Sequence, residues 1–190
     1  GKRLAAEIEK ELHELSMKGA SFEVWVGRTE KLAQRGRDDV RFFMSANAGE
    51  AMGRISKAAS GGELSRVMLA MKNVFAEKDP IETLIFDEID TGISGFTAQK
   101  VAEKLALISK DRQLICITHL PQIAAMADTH FSIEKSVSEG STISGIRRLS
   151  DKDSTFELAR LLSGSIISAT SLKSAEELKA EAVRTKGTIS

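Results

Sequence analysis

The sequence has few cysteines, prolines and aromatic residues, and neither sign of charge predominates. Its 190 residues include one cysteine, two prolines, one tryptophan and no tyrosine, and aromatic residues make up 5%. With Cys116 as the single cysteine, an intramolecular disulfide and a zinc site built on several cysteines are excluded, and an intracellular location is favoured. The content of 42% hydrophobic and 28% charged residues excludes a disordered or collagen-like chain.

Charge and hydrophobic runs limit the partners of the chain. Lys and Arg together number 27, as do Asp and Glu, so the formal net charge is zero. That balance gives no general attraction to DNA or to an acidic membrane, although it is compatible with a local basic patch. The longest uncharged run, residues 113–127, is too short and too polar to span a bilayer, so no membrane partner is expected.

The first eighteen residues predict an amphipathic helix. Leucine and isoleucine recur four, four and three positions apart between Leu4 and Leu15, which is the pattern of a coiled-coil seam, and Gly19 is expected to end the helix. Because fewer than three heptads are present, two interpretations stay open. Residues 1–18 are either the end of a longer coiled-coil arm or a short helix packed on the domain that follows at 19–190.

Beyond this helix the pattern indicates an α/β fold. Helices and short apolar strands alternate between residues 60 and 125, as in a mostly parallel sheet flanked by helices. Two later strands are joined by a Gly/Ser-rich turn. Predicted strands cover 22–26, 40–44, 83–86, 113–118, 131–134 and 143–149, with the charged stretch 28–39 as a hairpin connection, and predicted helices follow 60–62 and Pro121 and cover 97–109, 155–162 and 171–184.

The first candidate site is Ser60-Gly61-Gly62-Glu63, at the start of a predicted helix. Free backbone N–H groups and the positive end of the helix dipole favour an anion at such a place. Two glycines let a phosphate approach the backbone closely, and the Ser60 hydroxyl adds a donor. The alternative is an ordinary serine N-cap after a turn.

The second candidate site is Asp87-Glu88, directly after the predicted strand 83–86. In open α/β sheets, ligands bind beyond the C-terminal ends of the strands. Two acidic residues there suit magnesium and water activation, with Asp87 holding the metal and Glu88 orienting or deprotonating the attacking water. The alternative is a solvated acidic turn.

The third candidate is His119, which follows the predicted strand 113–118. A histidine in that position is suited to contact a terminal phosphate and to sense its loss. The alternative is a histidine that hydrogen-bonds a nearby carbonyl. His13 and His130 have no comparable setting and are interpreted as structural or surface residues, and Cys116 is interpreted as a small core residue.

In combination, the three sites resemble the ATP-binding-cassette ATPases. Ser60-Gly61-Gly62-Glu63 resembles the signature motif of that superfamily, and Leu84-Ile85-Phe86-Asp87-Glu88 resembles its Walker B strand with the catalytic glutamate. Asp90-Thr91-Gly92 falls where the D-loop lies, and His119 matches the switch histidine. The order of the motifs along the chain is also that of the superfamily.

Longer stretches narrow the resemblance to the RecN family, bacterial double-strand-break repair proteins related to structural-maintenance-of-chromosomes (SMC) ATPases. The stretches that carry this resemblance are Ala59-Ser60-Gly61-Gly62-Glu63-Leu64-Ser65-Arg66, Phe86-Asp87-Glu88-Ile89-Asp90-Thr91-Gly92-Ile93-Ser94-Gly95 and Ile117-Thr118-His119-Leu120-Pro121-Gln122-Ile123-Ala124.

The resemblance implies that this chain is the C-terminal half of an ATPase head. The phosphate-binding motif Gly-x-x-x-x-Gly-Lys-[Ser/Thr] does not occur in the sequence. In RecN-like proteins that loop lies in an N-terminal half, which is implied as the first partner, and residues 1–18 would end the returning coiled-coil arm. A second head and DNA are the further implied partners, the implied location is the bacterial cytoplasm at the nucleoid, and the segment alone is expected to be inactive.

The resemblance also implies a role for each candidate residue with ATP and Mg²⁺. Two heads would enclose two ATP molecules, closing with ATP and opening after hydrolysis. Residues 60–63 of one head would contact the γ-phosphate held by the other, Asp87 would support Mg²⁺, Glu88 would act as general base, His119 would contact the γ-phosphate and Asp90 would couple the two sites.

Two other classes of function stay open. One is the head of another cassette system, such as a transporter subunit or a chromosome-organising complex, although the leading helix disfavours a transporter. The other is a scaffold or DNA-binding module that keeps the fold and lacks the chemistry. The presence of both Glu88 and His119 favours an ATPase over such a module.

Overall fold

The computed structural model describes residues 1–34, 36–55, 60–76, 78–138 and 141–189, and it divides into two compact units, Gly1–Ile117 and Thr118–Ser190. The first unit contains α1 (Lys2–Glu14), β1 (Ser21–Ala33), β2 (Gly36–Ser45), β3 (Gly53–Arg54), α2 (Gly61–Val74), β4 (Thr83–Phe86), α3 (Gly95–Ile108) and β5 (Gln113–Cys116). The second contains α4 (Pro121–Ala125), β6 (Phe131–Ser138), β7 (Ser141–Arg148), α5 (Asp151–Ser163) and α6 (Ala169–Ile189).

Helix α1 ends earlier than its sequence predicts. The helix stops at Glu14 rather than near Gly19, because Ser16 adopts the left-handed conformation with φ 63°. The Met17 N–H donates to the Leu12 carbonyl at 3.0 Å and the Ser16 N–H to the His13 carbonyl at 3.1 Å. These two bonds form a Schellman motif, which satisfies carbonyls at the helix end without a glycine.

The apolar stripe of α1 lies in the core of the first unit. Ile8, Leu12 and Leu15 are completely buried. The Lys104 ammonium of α3 contacts the Glu11 carboxylate at 2.9 Å and the Glu14 carboxylate at 2.6 Å. Apolar burial on one face and partly buried ion pairs on another therefore hold α1 against this unit, and a domain boundary after residue 18 stays a prediction.

Strands β1, β2 and β3 form an antiparallel sheet in that order. Both strands predicted in this region are confirmed, but the stretch 28–39 is wrongly predicted as a connection. The ladder continues through Arg28 opposite Asp38 and closes at Ala33 opposite Gly36. The pairing is irregular between Arg28 and Ala33. Backbone hydrogen bonds between the strands keep this polar stretch extended, since a β-ladder needs no apolar side chains to satisfy its backbone.

Strands β4 and β5 form a parallel pair with Leu84 opposite Leu114 and Phe86 opposite Cys116. One face is buried through Leu84 and Phe86, whereas Ile85 and Ile115 on the other face are 67% and 45% exposed. Parallel sheets are ordinarily covered on both faces. The α/β fold is thus confirmed, but the prediction of a mostly parallel sheet is wrong for the described strands, because the β4–β5 pair is parallel and the other two sheets are antiparallel. The parallel pair has an uncovered apolar face.

The second unit combines an antiparallel hairpin with two packed helices. β6 pairs with β7, α5 packs on α6, and Leu158 and Ala159 of α5 and Ala175 of α6 are buried. Lys179 of α6 donates to the Asp151 carbonyl at the start of α5 at 3.0 Å. Among the described helices of both units, none is long and apolar enough to cross a membrane.

We expect Ser16→Gly to stabilise the protein and Ser16→Val to destabilise it. A left-handed residue other than glycine costs about 1–2 kcal/mol, part of which the extra unfolded-state entropy of glycine offsets. The free energy of unfolding in urea should rise by up to about 1 kcal/mol for Ser16→Gly and fall by at least about 1 kcal/mol for Ser16→Val.

The matched control is Ser109→Gly at the end of α3, where φ is −69° and no strain is relieved. That variant should be less stable than the parent protein. Equal shifts for the two glycine variants would contradict the assignment of strain to Ser16.

Candidate functional site

Helix α2 begins with a capping box. The Glu63 carboxylate accepts hydrogen bonds from the Ser60 backbone N–H at 2.8 Å and from the Ser60 hydroxyl at 2.9 Å, while the Ser60 hydroxyl oxygen accepts from the Glu63 N–H at 3.5 Å. These bonds lower the pKa of Glu63. The predicted helix start is confirmed, and Ser60 is an N-cap as well as a candidate ligand. Ala59, which precedes it in the motif, lies outside the described residues.

The acidic turn after β4 separates exposed from buried carboxylates. Asp87 and Glu88 are exposed, whereas Ile89 and Asp90 are 0% and 3% exposed. The Asp87 carboxylate accepts from the Glu88 N–H at 2.9 Å, and the Glu88 carbonyl accepts from the Thr91 N–H at 3.0 Å. Glu88 has a φ of 58°, a strained conformation that the tight turn imposes.

This turn lies directly against the start of α2. A Cβ atom on Gly62 would lie 2.8 Å from the Thr91 carbonyl oxygen, and one on Gly61 would lie 2.3 Å from Glu88 Oε2. The backbone oxygen that faces Gly62 cannot move without displacing the turn, so this position requires glycine, whereas the Glu88 side chain that faces Gly61 can rotate away. Gly62 therefore has a packing role within the chain, besides the phosphate contact predicted for both glycines.

The side chains of Ser65 and Arg66 hold the turn from α2. The Ser65 hydroxyl donates to the Asp87 carbonyl at 2.8 Å. Arg66 Nη1 donates to the Ile89 carbonyl at 3.4 Å and to the Thr91 carbonyl at 3.1 Å. Two neighbouring side chains of one helix thus donate hydrogen bonds to every second carbonyl of the turn.

Sequence reasoning used Ser65 and Arg66 only as part of a family pattern and missed this positioning role. A signal was present, because Arg66 lies four residues after Gly62 and four before Ala70, on the buried face of the helix. A charged residue on the apolar face of a predicted helix indicates a buried polar partner.

Arg66 is a buried cation. Arg66 is 7% exposed, and its Nε atom has no hydrogen-bond partner among the described residues. Burial lowers the pKa of Arg66, and the nearby Glu63 carboxylate raises it. Because an arginine does not lose its proton in proteins, the site keeps a buried positive charge.

Cys116 lies at the end of β5, close to the acidic turn. Burial raises the pKa of the Cys116 thiol to about 12, and the negative charges of Asp90 and Asp87 add to the rise. The thiol is therefore protonated at neutral pH and is not a reactive nucleophile. Cys116 is half-buried, so its interpretation as a small, unreactive residue agrees with this environment, but it lies at the edge of the core and not within it.

The three histidines have different surroundings. His119 is exposed and belongs to the second unit, one residue before Leu120, the N-cap of α4. His13 Nε2 lies 3.1 Å from the Ala20 carbonyl oxygen, and His130 Nδ1 lies 3.0 Å from the Ser154 hydroxyl. These settings agree with the interpretation of His13 and His130 as structural or surface residues, and the phosphate contact of His119 stays a prediction.

The carboxylate of Asp87 is a type of ligand that suits magnesium. Mg²⁺ takes one or two carboxylates and completes its shell with water and phosphate oxygens. The exposed Asp87 carboxylate at the C-terminal end of a parallel strand fits that donor set. No cluster of three or more His, Cys, Asp or Glu side chains that could hold a metal ion occurs in the part of the chain that the structure describes.

We expect Gly62→Ala and Gly61→Ala to have opposite effects on stability. A methyl group on Gly62 meets a backbone oxygen that cannot move without displacing the turn, which should cost about 1–3 kcal/mol of unfolding free energy. A methyl group on Gly61 meets the flexible end of Glu88, which can rotate away, and alanine favours the helix by up to about 1 kcal/mol.

Urea denaturation of the two variants checks this difference, with each serving as the control for the other. A loss of stability that is equal in both variants would contradict the packing role assigned to the turn.

The chain is similar to RecN proteins along nearly its whole length. It is 40% identical to DNA repair protein RecN of Bacillus subtilis, covering 98% of this chain and 35% of that protein. It is 47% identical to DNA repair protein RecN of Treponema pallidum, covering 90% of this chain and 31% of that protein. The chain thus spans about one third of the length of these relatives. No protein-family model matches it.

Solved SMC head structures share the fold. The Smc head domain with a coiled coil and joint from Pyrococcus yayanosii superposes with a TM-score of 0.58 at 26% identity, over 82% of this chain and 28% of that chain. An SMC ATPase studied for ATP-driven dimerisation and DNA-stimulated activation superposes with a TM-score of 0.50 at 23% identity, over 86% of this chain and 93% of that chain. The chain therefore belongs to the RecN family, as a segment about one third as long as the curated members, with the fold of SMC-type ATPase heads.

Proposed function

We propose that this chain is the C-terminal part of the head of a RecN-like ATPase that acts in DNA double-strand-break repair and recombination. The observation that carries the proposal is the turn with Asp87 and Glu88, which two side chains and two glycines hold against the start of α2. The similarity to RecN proteins supports the cellular role, with DNA as a partner in the bacterial cytoplasm at the nucleoid.

The first proposed partner is the N-terminal half of the same protein. The curated relatives are about three times as long as this chain, and the sequence contains no Gly-x-x-x-x-Gly-Lys-[Ser/Thr] motif. The exposed Ile85 and Ile115 side chains supply an apolar face that further strands and helices of the N-terminal half would cover. That half would also supply the phosphate-binding loop, so the segment alone is proposed to be inactive.

Within one head, the acidic turn would serve the metal and the water. Asp87 would hold Mg²⁺, which when bound supplies charge neutralisation for the phosphates. Glu88 would orient the attacking water and accept its proton. Because Asp87 and Glu88 are exposed while Ile89 and Asp90 are buried, the turn presents the two reactive carboxylates and anchors itself by the next two residues.

Between two heads, the start of α2 would bind the phosphate of the opposite nucleotide. Gly61 lies against the Glu88 carboxylate, so the first turn of α2 already accommodates an anionic group. Ser60 and Glu63 form the capping box that orders this turn. ATP would then join two heads into a dimer. ATP-driven dimerisation is the subject of the SMC ATPase study whose structure has a similar fold. Asp90 would couple the two sites, and His119 would contact the γ-phosphate.

ATP hydrolysis by this chain, mixed with the N-terminal segment of a RecN protein, tests the proposal. We expect no hydrolysis by the chain alone and hydrolysis by the mixture. Glu88→Gln should lower the rate at least about 10²-fold, because it removes the base and keeps the size of the side chain.

The matched control is Glu82→Gln, an exposed glutamate at the opposite end of β4, which should leave the rate unchanged. Hydrolysis by the chain alone, or equal rates for the two variants, would contradict the proposed head. Absence of hydrolysis in the mixture, with and without DNA, would favour a non-catalytic scaffold.

Ser60→Arg should prevent ATP-driven dimerisation of the complete protein and leave nucleotide binding intact. The added bulk and charge would block the start of α2 from the opposite nucleotide. Sedimentation with ATP measures the dimer, and the exposed Leu32→Arg in β1 is the control for added charge. Dimers formed equally well by both variants would contradict the proposed contact.

A further inference from the structure

The side chain of Glu88 lies at the start of α2 in the same chain. A Cβ atom on Gly61 would be 2.3 Å from Glu88 Oε2 and 3.6 Å from Glu88 Cδ, so one carboxylate oxygen points at the first turn of the helix. The N–H groups of a first turn have no intrahelical acceptors, and the helix dipole is positive there. The contact therefore places an acidic group at the positive end of α2.

The backbone of Glu88 is fixed, whereas its carboxylate can move. The Glu88 N–H donates to the Asp87 carboxylate at 2.9 Å, and the Glu88 carbonyl accepts from the Thr91 N–H at 3.0 Å. The φ of 58° then sets the direction in which the side chain leaves the turn. Because Glu88 is exposed, rotation of its side chain can carry the carboxylate away from α2 without unpacking the turn.

The carboxylate lies where the phosphate of the opposite head is proposed to bind. Both groups are anionic, and both need the space that the missing side chain of Gly61 leaves open. The Glu88 carboxylate and an arriving phosphate would therefore compete for the start of α2. A ligand that binds one of two conformations better shifts the population towards that conformation.

We infer that the start of α2 holds Glu88 in a resting position, from which the phosphate of the opposite head releases it. This inference rests on the proposed function, in which residues 60–63 contact the opposite nucleotide and Glu88 is the base. In a separate head, the carboxylate rests against Gly61 of its own chain. When two heads close on ATP, the phosphate displaces the carboxylate, which then orients water at the nucleotide of its own head. Hydrolysis in each head thus requires the other head.

Dimerisation with a non-hydrolysable ATP analogue tests this competition. The heads are formed by mixing this chain with the N-terminal segment of a RecN protein, and sedimentation at several protein concentrations gives the dissociation constant of the dimer. Glu88→Gln should tighten the dimer about two- to fivefold, the usual effect of one charge at a helix N-terminus, because the neutral amide competes less well with the phosphate. Glu82→Gln, an exposed glutamate that precedes β4, is the control and should leave the dimer unchanged.

The affinity of single heads for the analogue separates this competition from repulsion within one head. If Glu88 only repelled the nucleotide of its own head, Glu88→Gln would raise the analogue affinity at protein concentrations too low for dimers. We expect that affinity to stay the same. A dimer that is not tightened, or a tightening matched by an equal gain in single-head affinity, would overturn the inference.

The resting contact can be measured in the same heads without nucleotide, with only this chain labelled for ¹H–¹⁵N NMR. Glu88→Gln should shift the Gly62 amide signal, and it should shift that signal less in a Gly61→Ala background, because the methyl group already displaces the carboxylate. Equal shifts in the two backgrounds would also overturn the inference. Absence of dimers in the parent heads would contradict the proposed function itself, whereas dimers that Glu88→Gln leaves unchanged would overturn only the resting position of Glu88.

Discussion

The packing of the acidic turn after β4 on the start of α2 is the contact on which the proposed chemistry depends. Gly61 and Gly62 permit the approach, and Ser65 and Arg66 satisfy carbonyls of the turn. Arg66 donates to two carbonyls of the turn from a buried position, and burial strengthens those bonds by excluding water. The four residues lie within six positions of one helix start, so a single segment both shapes the turn and contains the proposed anion site.

The same contact explains why this turn contains a strained residue. Glu88 adopts a positive φ, which the surrounding hydrogen bonds impose on it. In this backbone conformation the side chain of Glu88 points to the start of α2, while the Glu88 carbonyl accepts the hydrogen bond that closes the turn. Strained backbone at a site of proposed chemistry is frequent, because packing elsewhere in the fold compensates its cost. The turn therefore joins stability and proposed function in the same few residues.

Local chemistry explains which parts of the fold were predictable. The helix start at Ser60, the apolar strand that ends at Phe86 and the proline that opens α4 depend on neighbouring residues, and all three are confirmed. The end of α1 was mispredicted because a serine, held by two backbone bonds, takes the position expected of glycine. The polar part of the first hairpin was missed because its strands are specified by pairing rather than by apolar alternation.

The sequence by itself determined the order of the motifs, the family and the candidate residues, since these depend on residue identity and spacing along the chain. Only the tertiary structure decided that Arg66 is buried with an unused donor, that Gly62 meets the Thr91 carbonyl, and that one face of the β4–β5 pair is uncovered. The first two properties arise between residues more than twenty positions apart. The third arises because the side chains of Ile85 and Ile115 on one face of the sheet are exposed. No local pattern encodes such a distance, because it is set by how the whole unit packs.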